Sequence, residues 1–182
     1  MNKKVLFITD TLEELDLKKD TSILMMEESI KLGFDVYQCL VEDLYAENSE
    51  VIVFAKQITT VSTSEIKFED ASIHSIKTFE YSFMRKDPPV DEDYINALHL
   101  LGLAQTMGTK VFNNPVSIKE FNEKVFAIHF AKYIPETLIS SKIDKIKSFI
   151  KDKKEIVVKP LDGMGGKSIY KMDKIQESEI ET

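Results

Sequence analysis

The residues with the most chemical potential lie near the end of the chain, in Glu155-Ile-Val-Val-Lys-Pro-Leu-Asp-Gly-Met-Gly-Gly-Lys-Ser-Ile-Tyr170. Of the six glycines in the chain, Gly163, Gly165 and Gly166 fall within four positions, with Met164 between them. Glycine takes φ > 0 at little cost and has no Cβ to block an anion. Such a cluster therefore lets several backbone N–H groups converge on one point. Lys159 ends the β-branched run Ile156-Val157-Val158, and Pro160 stops that run. Amides can grip phosphate oxygens while the ammonium adds a full charge, so the stretch reads as a phosphate cover between two strands. The competing reading is a plain hairpin turn with solvated lysines. The position of Lys159 between apolar residues and a proline favours the phosphate cover. The loop is not a P-loop, because that motif's first glycine would fall on Leu161 and a strand, not a helix, is expected after Ser168.

A second set of chemistry-bearing residues comes earlier. Asp10 follows an apolar run, and Arg85-Lys86-Asp87 follows another before Pro88 and Pro89. If both runs are parallel strands, these residues stand at carboxyl ends, where the ligand crevice of an open α/β sheet lies. An arginine there is shaped to hold a carboxylate with two bonds. The alternative is a surface arginine paired with Asp87 or Asp91.

The elements that must position these residues follow from pattern. Val5 to Thr9 is a continuous apolar run, as expected of a central parallel strand. Asp20, Thr21 or Ser22 caps a helix reaching Leu32, with Gly33 as its stop. Phe34 to Leu40 is the next strand, so a right-handed crossover and a parallel pair are expected. No Gly-x-Gly-x-x-Gly follows the first strand, which argues against the usual dinucleotide fold. Val51 to Ala55 and Gln57 to Val61 are expected as two hairpin strands, and Thr78 to Met84 as a return strand. Asp91 to Met107 reads as an amphipathic helix stopped by Gly108, followed by a short strand from Lys110 to Phe112. Helices from Val116 to Phe121 and from Glu123 to Tyr133 come next. A strand from Glu136 to Ser140 and a helix from Ile143 to Ile150 lead back to Glu155. The expected boundary lies near Asn113 to Asn122, between an α/β layer and a small α+β unit.

Composition narrows the classes. The chain has 182 residues, 43% of them apolar, as in a soluble globular protein of one ordinary or two small domains. A net charge of −7 argues against a general nucleic-acid binder. Residues 141–182 hold ten Lys against eight Asp or Glu, so that end carries +2 and residues 1–140 carry −9. A single cysteine, Cys39, excludes an intrachain disulfide or a Cys-based zinc site. His74, His99 and His129 lack metal spacing and read as structural or surface histidines. No apolar stretch approaches the length of a membrane span, and the N-terminal run is too short for a signal peptide. No membrane contact and a cytoplasmic location are therefore expected.

Several stretches, in this order and spacing, resemble the bacterial glutathione synthetases of the ATP-grasp ligase family. They are Phe7-Ile-Thr-Asp10, Lys18-Lys-Asp-Thr-Ser22, Glu42-Asp-Leu-Tyr45, Met84-Arg-Lys-Asp-Pro-Pro89, Asn122-Glu-Lys124 and Lys159-Pro-Leu-Asp-Gly-Met-Gly-Gly166. The resemblance covers essentially the whole chain. The glycine loop with Arg-Lys-Asp-Pro-Pro is specific, whereas Asn-Glu-Lys alone is weak. Thr11 stands where a proline is expected.

The resemblance implies an α/β fold: a pre-ATP-grasp, Rossmann-like parallel-sheet domain over residues 1–121, then the first, small α+β part of an ATP-grasp domain over 122–182. It implies that Lys124, Lys159, Gly163, Met164, Gly165 and Gly166 contact ATP. It implies that Asp10, Ser22 and Asp87 line the substrate side, with Arg85 as the catalytic candidate there. The implied reaction joins γ-glutamylcysteine to glycine through an acyl phosphate, with ATP and Mg²⁺. The metal ligands are expected in a C-terminal half absent from these residues, so the chain alone is expected to be inactive. An unpaired sheet edge would favour a homo-oligomer. Two alternatives stay open: a non-catalytic nucleotide-binding or self-associating module, and an ATP-grasp ligase for another acid and amine.

Overall fold

The structure is a computed structural model that describes residues 2–151, 153, 155–162 and 169–172. It divides into two compact units, Met1–Glu120 and Phe121–Thr182.

In the first unit, β1 (Lys4–Ile8) leads through α1 (Thr21–Lys31) to β2 (Asp35–Cys39). Next come β3 (Leu44–Glu47), β4 (Glu50–Val61), β5 (Ile66–Phe68), β6 (Ser72–Ser75) and β7 (Phe79–Met84). Helix α2 (Glu92–Thr106), β8 (Val111–Phe112) and α3 (Pro115–Glu120) complete the unit. The main sheet runs β3-β4-β2-β1-β7-β8, and β5 and β6 also pair with β4. The strands from β2 to β8 in that order are parallel neighbours, while β4 is antiparallel to β2.

This order has a consequence for function. The chain leaves β1 to build β2 on one side, then returns to build β7 on the other. The gap between β1 and β7 is thus the point where the strand order reverses, which is where open α/β sheets bind ligands.

Side-chain alternation on β1 accounts for its unbroken apolar run. Leu6 and Ile8 join a core with Leu98 and Leu101 of α2. Val5 and Phe7 face the opposite core, with Ile23 and Met26 of α1. A sheet covered on both faces needs apolar residues at every position of its central strand. Each fully buried side chain of this size contributes roughly 1.5–3 kcal/mol. Helix α1 starts where Asp20 accepts from the Ser22 amide at 2.7 Å, and the chain leaves it through Gly33 at φ 83°. Helix α2 starts on Asp91, which accepts from the Tyr94 amide, and the chain leaves it through Gly108 at φ 97°.

One expectation is corrected in this unit. Residues 51–61 do not form two hairpin strands; they belong to the single 12-residue strand β4. It buries Val51, Val53 and Ala55 in the core that holds Leu6 and Ile8, and Ile58 and Val61 in the one that holds Val5 and Phe7. Lys56, the apparent break, is accommodated because its ammonium lies 4.6 Å from the centroid of the Phe68 ring. The turn before β4 was also unforeseen, and Asn48 and Ser49 supply it with positive φ values of 47° and 65°.

The second unit contains α4 (Glu123–Phe126), α5 (Ile143–Lys151), β9 (Ile156–Val158) and β10 (Tyr170–Met172). Strands β9 and β10 pair antiparallel, Val158 with Tyr170. Two expectations fail here. The helix expected from Glu123 to Tyr133 is α-helical only to Phe126 and continues as a 3₁₀ segment, Ala127–Tyr133, kinked at Phe130. Its apolar residues Phe126, Ile128, Phe130 and Tyr133 stay at least partly exposed. Without a face to bury, residues of modest helix propensity gain little from a longer α-helix. Residues 136–140 form no strand, because no described strand lies alongside to take their backbone groups. Among the described residues no helix is long and apolar enough to cross a membrane.

Candidate functional site

The first unit brings Asp10, Ser22, Arg85 and Asp87 to one place, the crevice between β1 and β7. Asp10 follows β1 directly, and the 85–87 loop follows β7. The two strand ends are tied where the Arg85 amide donates to the Ile8 carbonyl at 2.8 Å. Asp10 is the hub. One carboxylate oxygen pairs with the Lys86 ammonium, and the other accepts from the Asp87 amide at 2.9 Å. Both side chains of this ion pair are mostly shielded, at 22% and 21% exposure, so it is less screened than a surface pair.

Arg85 reaches across to the start of α1. Its Nη2 donates to Thr21 Oγ1 at 2.7 Å and its Nε to Ser22 Oγ at a long 3.4 Å. The alternative of an arginine paired with Asp87 or Asp91 is not what the structure contains: among the described residues Arg85 forms no ion pair. The Asp87 carboxyl is held above the usual carboxylate range. Partial desolvation of this otherwise exposed residue is the first cause, and the negative charges of Asp10 and Asp20 add to it, against the opposing pull of Arg85 and Lys86. The buried Tyr94 phenol is also raised, by burial first and then by Asp87 and Asp10, so it stays protonated beside them.

Sequence reasoning missed the support beneath Asp10. Gln38, buried at the end of β2, donates to Thr9 Oγ1 at 3.1 Å and to the Asp10 carbonyl at 3.3 Å. The Thr9 hydroxyl donates to the same carbonyl at 2.7 Å. A glutamine inside the strand Asp35-Val-Tyr-Gln-Cys39 was the available signal, since a buried amide must find partners.

The second unit holds the other candidates. Asn122 caps α4, accepting from the Lys124 and Val125 amides at 3.0 and 3.1 Å. Its amide donates to the Leu161 carbonyl at 3.2 Å, which ties the helix start to the chain just beyond β9. Lys124 also reaches that carbonyl, at 3.4 Å, and pairs with Glu123. Lys159 and Lys124 line one concavity of about 960 Å³ within this unit, with Leu138, Phe149, Ile156 and Leu161 among its walls. The hollow is largely apolar, with Lys124, Lys153 and Lys159 as well as Glu123, Glu136 and Glu155 in its lining, and it has room for a nucleotide. Gly163, Met164, Gly165 and Gly166 lie outside the described residues. Among the described residues no three His, Cys, Asp or Glu side chains group to hold a metal ion.

Comparison with known proteins adds the lineage. Residues 3–119 match the family model for the prokaryotic glutathione synthetase N-terminal domain, and residues 123–182 match that for the prokaryotic glutathione synthetase ATP-grasp domain. The chain is 34% identical over 171 residues to the glutathione synthetase of Vibrio vulnificus strain YJ016, covering 93% of this chain and 54% of that protein. It is 35% identical over 174 residues to the glutathione synthetase of Nitrosomonas europaea, covering 93% of this chain and 54% of that protein. The chain thus spans about half the length of the curated relatives it matches. The crystal structure of D-alanyl-alanine synthetase A from Vibrio cholerae matches 99% of this chain and 55% of its own, with TM-score 0.55 and 14% identity, a likeness of fold alone.

Proposed function

The chain belongs to the prokaryotic glutathione synthetase family, and from that premise we propose that it serves the ATP-dependent ligation of γ-glutamylcysteine and glycine. The observation that carries this reading beyond lineage is the shared hollow of Lys124 and Lys159. One lysine comes from a helix start and the other from a strand end, and the Asn122–Leu161 bond draws the two segments together. Two ammonium groups on one hollow suit the phosphates of ATP.

A carboxylate is a poor electrophile until its oxygen is phosphorylated. Its attack on the γ-phosphate gives an acyl phosphate and ADP, and the glycine amine then displaces phosphate. Lys124 and Lys159 offset charge on the transferred phosphoryl, and positioning supplies the rest. The crevice of Asp10, Ser22, Arg85 and Asp87 is the dipeptide side, and the division into a pre-ATP-grasp domain and the start of an ATP-grasp domain follows residues 1–121 and 122–182. Gly163, Met164, Gly165 and Gly166 cover the phosphates. A cytoplasmic location belongs to the proposal because the chemistry needs ATP, and a homo-oligomer because exposed Val157, Ile169 and Tyr170 offer surface to a second copy.

We assign binding, not turnover, to these 182 residues by themselves. Isothermal titration with Mg·ATP tests the first part. Heat at millimolar nucleotide is expected, and Lys159→Ala weakens affinity ~10-fold or more, the scale of a hydrogen bond to a charged group. The absence of heat, or an unchanged affinity in the variant, contradicts the reading. A coupled ADP-release assay with γ-glutamylcysteine and glycine tests the second part, since turnover by this chain alone would overturn it.

A further inference from the structure

One face of the long strand β4 is apolar and open over half its length. Alternation sends Val51, Val53 and Ala55 into the core and turns Glu50, Ile52, Phe54 and Lys56 to the opposite face. The neighbouring strands add to that face at the residues directly opposite. Tyr45 of β3 stands against Ile52, and Ile73 of β6 stands against Phe54. Tyr45, Phe54 and Ile73 are 38%, 44% and 67% exposed. Farther along the strand, Ile58 shares a core with Ile23 and Met26 of α1, and the open patch ends there. Contiguous apolar side chains on a sheet face mark an interaction surface, unlike single exposed ones.

Charge divides this face. At one end Glu47 of β3 stands directly opposite Glu50, and like charges so placed destabilise a sheet. Glu50 has some relief, since it accepts from the Ser75 hydroxyl at 2.6 Å and lies 3.9 Å from the Lys77 ammonium. Among the described residues the Glu47 side chain forms no ion pair. At the other end, the Lys56 ammonium has the Phe68 ring beside it and no carboxylate among the described residues.

We propose that this face binds a second copy of the chain, with β4 of one copy lying antiparallel over β4 of the other. The order Glu50-x-Ile52-x-Phe54-x-Lys56 selects that occupant. Read in reverse, it sets an anion against a cation and an aliphatic side chain against an aromatic one. A two-fold axis between the two sheets, crossing β4 at right angles opposite Val53, lays Lys56 of each copy on the Glu47–Glu50 pair of the other. One contact thus satisfies both charged ends twice. Glu50 and Lys56 stand ~20 Å apart along the strand, so the charges form a rim around an apolar centre. Stacked sheets pack ~10 Å apart with their strands within about 30° of alignment, and this arrangement meets both conditions. A partner of uniform charge would meet like charge at one end. The inference stands apart from the ligase reading and from the apolar surface of the second unit.

Sedimentation equilibrium of the 182-residue chain tests it, with charge reversals as probes. The unaltered chain is expected to dimerise at roughly 10 μM and above. Lys56→Glu and Glu47→Lys each set like charges together twice, and each weakens the dimer ~10-fold or more. Mixed one to one, the two variants restore it, because each then meets the opposite charge. That rescue also shows that both variants are folded. Phe54→Ser weakens the dimer ~10-fold or more, and mixing does not rescue it. Val157→Ser, in the second unit, leaves it unchanged. A monomeric unaltered chain overturns the proposal and gives the face to another partner. So do charge-reversed variants that dimerise as before, a mixture that stays monomeric although circular dichroism shows both variants folded, or a dimer that Val157→Ser dissolves and Phe54→Ser keeps. Binding of Mg·ATP is read separately, so these failures leave the family reading standing.

Discussion

The two units reach their candidate sites by different means. The first buries both faces of its sheet, and its crevice rests on side chains such as Leu6, Phe7 and Ile8 that have no measurable exposure. Among residues described after position 120, Ile150 is the sole buried hydrophobic, while Phe130, Val157, Ile169 and Tyr170 are 44–59% exposed. A site at strand ends inherits the stiffness of its sheet. A site on one strand pair and a four-residue helix has little such support.

Core truncation gives the largest contrast. Leu98→Ala is expected to cost ~2–5 kcal/mol in chemical denaturation, whereas Val157→Ala, already half exposed, stays within ~0.5 kcal/mol. Similar losses at the two positions would break the comparison. A smaller contrast uses two lysine–carboxylate pairs. Asp10→Asn loses the Lys86 ion pair in a shielded crevice and is expected to cost ~1–3 kcal/mol. Glu136→Gln removes the partner of Lys153, where the carboxylate is 71% exposed, and is expected to cost no more than ~1 kcal/mol.

The smallest effect carries the opposite sign. Asp87 sits in a field that raises its pKa, so the folded state holds its proton more tightly than the unfolded state does. The stabilising contribution of the protonated form is complete below the unfolded value and is lost as pH rises through the folded one. Asp87→Asn is therefore expected to gain up to ~0.5 kcal/mol near neutral pH, after allowance for solvent screening, and nothing below about pH 4. Thermal melts at the two pH values read this. A loss at neutral pH would show that the carboxylate is held by an attractive partner and is not available to a ligand.

Much of this contrast was legible in the residues. The apolar run of β1, the cap at Asp20 and the Gly33 and Gly108 stops are local signals, and local structure obeyed them. The gathering of Asp10 with Arg85 and Asp87 was also readable, because a crossover places successive parallel strand ends side by side. What failed depended on partners distant in sequence. The length of β4 follows from four pairing strands, and no window around Lys56 contains them. The strand expected at 136–140 has the composition of a strand but no neighbour, and composition alone does not form a ladder. Gln38 was visible as a polar residue in an apolar strand, yet its bond to Thr9 spans 29 residues. The commitment of Lys86 to Asp10 is set by rotamers that no spacing encodes.

The central claim is that the two units hold different substrates. Two titrations of one ¹⁵N-labelled sample test it most directly. γ-Glutamylcysteine is expected to shift the amides of Asp10, Ser22 and Asp87 and leave those of Lys124 and Lys159 in place, and Mg·ATP to do the reverse. Movement of the Asp10 and Asp87 amides by nucleotide, with none at Lys124 and Lys159, would contradict the account.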